Sequence, residues 1–198
     1  MRLVVGIGNP GREYAGTRHN VGFEGVDRLA ERGGASFSNG RSFDTCRGSA
    51  EATVHCGGAG AEKLLIVKPA TYVNRTGDAV ASLLAWYREG PEALLVVTDC
   101  IALDVGTNRI REGGSSAGHR GIESIIASLG TDRFARLRIG IRGSAAPPGD
   151  LRNYVLGRFP PDERETIDES IRTAAEAVLA WTREEMGIVM SRFNRRKD

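Results

Sequence analysis

Leu3-Val4-Val5-Gly6-Ile7-Gly8-Asn9-Pro10-Gly11 opens the chain with an apolar run that stops in a turn. A run of apolar and small residues without polar alternation reads as a short strand covered on both faces. Asn-Pro-Gly then turns the chain, because proline fixes φ and glycine enters conformations other residues avoid. A polar loop follows to His19. A helix is expected next, with Asn20 as its cap, Val26, Leu29 and Ala30 on its inner face, and Gly33-Gly34 as its end. The same alternation continues outward. Residues 42–56 read as a strand, and its hairpin partner begins after Gly57-Gly58, at Lys63 to Val67. Val80, Leu83, Leu84 and Tyr87 have helical spacing, and Gly90-Pro91 ends that helix. Leu94 to Val97 is a fully apolar strand ending at Asp99, and residues 103–112 form another. Ile122, Ile125, Ile126 and Leu129 mark a third helix closed by Gly130, and Arg136 to Ile141 is an alternating strand. Residues 143–150 are expected to be a flexible Gly/Pro loop. A C-terminal helix over 162–183 has a capping-box-like start in Asp162 and Glu165 and an inner stripe of Ile167, Ile171, Ala174, Ala175 and Val178. Strands alternating with helices predict an α/β fold. The expectation is one domain over residues 1–198, a three-layer sandwich with a central, mixed, mostly parallel sheet flanked by helices.

The 198 residues suit one domain with a real core. No apolar run reaches membrane-spanning length, and Met1 to Gly6 does not open a signal peptide, so a cytoplasmic protein is expected. Cys46, Cys56 and Cys100 are too few for a disulfide framework and read as small buried thiols. His55-Cys56 is a poor metal corner, because neighbours on a strand point to opposite faces. The net charge of +2 permits an anionic partner without demanding one. Lys63, Lys68 and Lys197 are the only lysines among 27 cations. That arginine excess suits paired contacts to phosphate, or equally reflects a GC-rich coding sequence.

Gly6-x-Gly8-x-x-Gly11 fits the dinucleotide-binding pattern literally. That fold needs a helix directly after the second glycine and an acidic residue closing a second strand. Here Pro10-Gly11 continues as loop, and Glu24, Asp27 and Glu31 fall in the expected first helix. The fingerprint alone is weak.

Gly8-Asn9-Pro10-Gly11-x-x-Tyr14-x-x-Thr17-Arg18-His19-Asn20-Val21-Gly22-Phe23 resembles the opening signature of the bacterial peptidyl-tRNA hydrolases. Lys68-Pro69-x-Thr71-Tyr72-x-Asn74-x-x-Gly77 is similar to their second motif, with Val73 where methionine is usual. Asp99 after its apolar strand, Gly118-His119-x-Gly121-Ile122 and Phe134 to Ile141 follow in the family's order. The resemblance runs from Met1 to about Phe159. It implies hydrolysis of the ester between an N-blocked aminoacyl or peptidyl group and tRNA, by a carboxylic-ester hydrolase of translation. It implies His19, Asp99, Asn9 and Asn74 as the catalytic set. Asn9 would help tell a blocked amino group from a free one. Tyr14 and Tyr72 match positions near the tRNA terminus, and Arg111 and Arg138 match a clamp for the tRNA 5′-phosphate. His119 resembles a site residue whose part is either chemistry or bracing the loop.

The residue types suit that chemistry. Ester hydrolysis needs a base for water and donors for the developing oxyanion. His19 precedes a helix N-terminus, whose positive end favours the neutral imidazole that accepts a proton. Asp99, at a strand's carboxyl end, is placed to orient His19. Asn9 and Asn74 offer amide donors that do not titrate. Arg109/Arg111 and Arg136/Arg138 alternate along strands, so each pair shares a face. No HExxH, CxxC or Walker-type motif is present, so neither cofactor nor metal is expected. The expected partner is tRNA, with no membrane, and the chain is expected to act as a monomer.

The chain departs from the family at two places. Asp99-Cys100-Ile101-Ala102-Leu103-Asp104 stands where an acidic stretch is usual, and Arg120 stands where the family has asparagine. Arg120 is expected to face the cleft and bind substrate, with Asp99, another carboxylate or the substrate as its partner. The alternatives are a paralogue with a specialised acyl-tRNA, or a non-catalytic tRNA- or RNA-binding relative.

Overall fold

The structure is a computed structural model that describes residues 1–39, 50–56, 62–143 and 150–194. Within them, seven strands form one sheet in the order β2-β3-β4-β1-β5-β7-β6. The strands are β1 (Arg2–Gly6), β2 (Ser38–Asn39), β3 (Ala50–Cys56), β4 (Glu62–Lys68), β5 (Leu94–Asp104), β6 (Asn108–Arg111) and β7 (Ala135–Arg142). The four central strands, β4, β1, β5 and β7, are parallel, and both edges are antiparallel. The helices are α1 (Val21–Arg32), α2 (Thr76–Tyr87), α3 (Arg120–Leu129), α4 (Leu151–Leu156), α5 (Pro161–Trp181) and α6 (Met186–Phe193).

The period of two in β1 and β5 divides the core between two layers. Val4, Leu95 and Val97 pack under α1, α5 and α6 with Leu29, Ile167, Ile171 and Val178. Leu3, Val5, Leu94 and Val96 pack under α2 and α3 with Val80, Leu83, Ile122 and Ile125. These are the three layers that alternating strands and helices predict.

The boundaries differ in instructive ways. β5 does not end at Asp99 but runs to Asp104, taking Leu103 and Asp104 from the separate strand expected over 103–112. What remains of that strand is β6, which turns back antiparallel on β7. The second helix ends at Arg88, which adopts a left-handed φ of 56°, before Gly90-Pro91 is reached. Neither Asp162 nor Glu165 caps α5, which starts from Pro160 with Pro161 in its first turn, where a missing N–H is harmless. The short helices α4 and α6 escaped the sequence reading. Asp150 accepting from Asn153 N at 3.1 Å is the start signal for α4 that composition offered. Residues 42–49 of the strand expected over 42–56, with Cys46, the hairpin turn at Gly57-Gly58 and residues 144–149 of the expected loop lie outside the described residues.

Two glycines set α1 against the sheet. A Cβ on Gly22 would lie 2.4 Å from Ile7 O and 2.5 Å from Val97 O, and one on Gly6 would lie 2.5 Å from Gly22 O. Backbone therefore meets backbone, which holds the head of α1 directly over the carboxyl end of β1 and the neighbouring part of β5 at Val97.

Candidate active site

β1 pairs with β5 only as far as Gly6 opposite Val97. β5 continues, so Asp99 stands just beyond the point where its neighbour has left. Crevices at strand carboxyl ends are where open α/β sheets place ligands. Asp99 is 5% exposed and is reached from both layers. From one side comes His19, in a 3₁₀ turn (Arg18–Asn20) leading into α1. From the other comes His119, the residue that caps α3.

Both rings meet one carboxylate oxygen. His19 Nδ1 and His119 Nε2 each lie 2.9 Å from Asp99 Oδ1, with ring centroids 5.3 Å apart. His119 Nδ1 accepts from Gly121 N at 3.1 Å and from Ile122 N at 3.3 Å. An atom that accepts carries no proton, so His119 holds its proton on Nε2 and gives it to Asp99. Thr98 Oγ1, 2.9 Å from the same nitrogen, shares that proton. His119 therefore braces the Asp99 carboxylate and the start of α3 together.

His19 points its Nδ1–H at Asp99, which leaves Nε2 as the lone-pair nitrogen, with no hydrogen-bond partner among the described residues. Burial lowers the pKa of His19, but the charge of Asp99 and its hydrogen bond outweigh burial, and the net shift is upward from 6.5. The helix terminus, expected to favour the neutral ring, is outweighed: a carboxylate in contact acts more strongly than a helix end. For Asp99, burial pushes upward, yet the positive charge that His119 and His19 carry once protonated, together with their hydrogen bonds, holds it well below the ordinary 3.8. The carboxylate is thus ionised and fixed.

Around this pair opens a cleft of about 890 Å³. Asn9, Tyr14, Tyr72, Asn74, Arg111, Arg120 and Arg138 all line it with His19, Asp99 and His119, so the residues that the family resemblance named meet here, while Arg109 does not line the cleft. Asn9 is held on three sides. Its main chain exchanges bonds with Asn20 (N to Oδ1 2.9 Å, Nδ2 to O 3.0 Å), and its Oδ1 accepts from Val73 N at 3.1 Å. The Nδ2 donor is what remains to face a ligand. Asn20, expected as a side-chain cap, makes no cap bond and instead locks Asn9. Asn74 and Tyr72 are exposed on the 3₁₀ turn that leads into α2.

The arginines are more closely grouped than alternation along each strand suggests. In the β6–β7 register Arg109 opposes Arg138 and Arg111 opposes Arg136, so four guanidinium groups share one face. They are not equivalent. Arg136 is 4% exposed and spends its Nη1 and Nη2 on Ser115 O and Asp132 O. Arg109 donates to Asn194 O. Arg138 donates to Cys100 Sγ at 2.8 Å, and Arg111 is exposed. Cys100 itself is a buried thiol, as expected.

Arg120 overturns its expectation in part. It lines the cleft, but it is exposed and has no partner among the described residues, neither Asp99 nor another carboxylate. The argument from a buried guanidinium fails because the first residue of α3 projects into open space. Sequence reasoning missed Thr98, and it missed Arg152, Leu151 and Val155 of α4 on the cleft wall.

Among the described residues, the donor atoms of His19, Asp99 and His119 lie within 4.8 Å of one another, close enough for a cation. Proton placement argues against that use. A neutral histidine binding metal through Nε2 must carry its proton on Nδ1. On His119 that proton would point at the two N–H groups of α3.

Comparison with known proteins agrees with the geometry. The family model described as peptidyl-tRNA hydrolase matches residues 3–198. The chain belongs to the peptidyl-tRNA hydrolase family. A peptidyl-tRNA hydrolase of Chlorobaculum parvum is 42% identical over 196 residues, covering 98% of each chain. One of Chloroflexus aurantiacus is 43% identical over 197 residues, covering 98% of this chain and 99% of the relative. The crystal structure of peptidyl-tRNA hydrolase from Acinetobacter baumannii superposes with a TM-score of 0.87 at 31% identity, over 100% of this chain and 96% of that one. Among the described residues, no helix is long and apolar enough to cross a membrane.

Proposed function

We propose that this member of the peptidyl-tRNA hydrolase family cleaves the ester between an N-blocked aminoacyl or peptidyl group and tRNA, with His19 as general base. Family membership supports the hydrolase activity and the tRNA substrate. The observation that carries the residue roles is the His19–Asp99 contact, which fixes the imidazole tautomer and leaves Nε2 open to the cleft. Nε2 takes a proton from water as the oxygen attacks the ester carbonyl carbon. The carbonyl oxygen gains negative charge, and the amide donors of Asn9 and Asn74 are offered to it. Collapse breaks the bond to the ribose oxygen, and the imidazolium of His19 returns the proton to that leaving oxygen. Asp99 stabilises the imidazolium in between, and His119 and Thr98 hold Asp99 in place.

Tyr14 and Tyr72 take the tRNA terminus, and Arg111 and Arg138 take phosphate. The reaction proceeds without metal or cofactor, by a monomer in the cytoplasm. Retention of the complete base, carboxylate and amide set favours an enzyme over a non-catalytic RNA-binding relative, because binding alone needs no ordered imidazole. His19→Ala is expected to lower single-turnover hydrolysis of N-blocked aminoacyl-tRNA by about two to four orders of magnitude while the circular dichroism spectrum stays unchanged. Near-normal turnover in the folded variant removes the assignment.

A further inference from the structure

Arg18 directly precedes His19 and is a buried cation that the reaction above does not use. It is 5% exposed. Its Nη1 donates to Ile141 O at 3.0 Å and sits 2.7 Å from Glu163 Oε2, an ion pair not aligned as a hydrogen bond. The guanidinium lies 4.5 Å from the ring of Tyr154 and 4.6 Å from that of Phe159. The main chain adds two more ties: Arg18 N donates to Gly157 O at 2.8 Å, and Thr17 bridges Arg158. Tyr154 Oη donates to the same Ile141 O at 2.9 Å and accepts from Gly143 N at 2.8 Å.

The turn that carries His19 is thus strapped to Ile141 and to the stretch 150–163. The helix within that stretch, α4, supplies Leu151, Arg152, Val155 and Leu156 to the cleft. An apolar side chain would fill the Arg18 site without the cost of burying a charge. What a planar guanidinium adds is direction, since a carbonyl, a carboxylate and two rings admit one orientation.

We propose that Arg18 is a positioning residue that couples the seating of α4, one wall of the substrate cleft, to the contact between His19 and Asp99. The inference rests on His19 being the base. The groups that face His19 are Asp99 on β5 and His119 at the head of α3. Tyr14, Tyr72, Arg111, Arg120, Arg136, Arg138 and, on α4, Arg152 line the same cleft, and none of them is altered in the variants below.

Three variants test the coupling: Arg18→Lys, which keeps the charge and loses the plane; Glu163→Gln; and Tyr154→Leu. Each is compared with wild type in the pH profile of kcat/KM on N-blocked aminoacyl-tRNA. A loosened His19–Asp99 contact removes what raises the histidine and leaves burial, which lowers it. The acid limb is therefore expected at lower pH in all three, with kcat down about tenfold and KM little changed. Arg18→Lys with Tyr154→Leu should shift the limb no further than either alone, because both cut the same strap.

Folded variants that lose thermal stability but keep the wild-type limb overturn the proposal and leave Arg18 a structural residue. If Arg18→Lys does not fold, Glu163→Gln and Tyr154→Leu decide alone, and an unchanged limb in both overturns it. His19→Ala separates the two layers of argument. If that variant is inactive and the limbs are unmoved, the coupling fails alone. If it is active, the base assignment fails and takes the coupling with it.

Discussion

Asp99 shows how one residue's neighbours decide its chemistry. Its carboxylate is buried, which alone would favour the neutral acid, yet two histidines on one oxygen keep it ionised. The consequence for rate is a signed one. Because Asp99 raises His19 above 6.5, the acid limb of kcat/KM should lie above that value in the wild type. Asp99→Asn removes the charge and should move the limb to lower pH while cutting the rate by about a hundredfold or more, a change that rate measurements across pH 5–8 would detect. Arg120 is decided by its surroundings too. It is exposed in the cleft and has no partner among the described residues. Arg120→Asn should therefore cost no stability and should change the relative rates on several N-blocked aminoacyl-tRNAs. Identical rate profiles would place its side chain in solvent, outside the site.

At the scale of elements, the site depends on how helices begin. The head of α1 reaches β1 only because Gly6 and Gly22 carry no side chain there. The head of α3 is capped by His119 rather than by the usual Ser, Thr, Asp or Asn, so the cap and the carboxylate brace are one group. The approach to that cap is strained. Ala117 has φ 48°, a left-handed conformation that costs an alanine about 1–2 kcal/mol and a glycine little. Glycine also loses about 0.5–1 kcal/mol more chain entropy on folding, so the two effects partly cancel. Ala117→Gly should stabilise by about 0.5 kcal/mol, raising Tm by about 1–2 °C in a chain of this size. A thermal scan that shows a fall in Tm would mean that the alanine methyl makes contacts which outweigh the strain.

For the whole molecule, the division of labour follows the sheet. The parallel centre leads to the cleft that holds His19 and Asp99, and the antiparallel β6–β7 edge carries the arginine face beside it. Charge on that edge should govern tRNA binding and not the chemical step. Arg111→Ala and Arg138→Ala are expected to weaken tRNA binding and reduce the slope of log K against log salt by about one each. Hydrolysis of a minimal ester lacking the tRNA body should hardly change. Equal losses on both substrates would show a structural role instead. The buried His19–Asp99 pair also ties folding stability to pH. The contribution of Asp99, whose pKa is depressed, is present above its ordinary 3.8 and is lost as pH falls. That of His19, whose pKa is raised, is present below 6.5 and is lost as pH rises through its folded value. The pair therefore stabilises most between those two ordinary values.

The sequence alone determined the layers and the membership of the site. Apolar runs at Leu3–Val5 and Leu94–Val97, with helical stripes between and after them, leave few ways to bury both faces of a sheet. The spaced motifs around Asn9, His19, Asn74, Asp99 and His119 named residues that do converge on one cleft. What the sequence did not carry is set by contacts between distant segments. The protonation of His19 follows from an aspartate 80 positions away and not from its own helix. The part played by His119 follows from two N–H groups that fix its tautomer, and the isolation of Arg120 from the open space before α3. The opposition of Arg109 with Arg138 and Arg111 with Arg136 exists only once β6 folds back on β7. Local periodicity records which face a residue takes. Register, tautomer and electrostatic environment belong to pairs of segments, and so only the tertiary structure decided them.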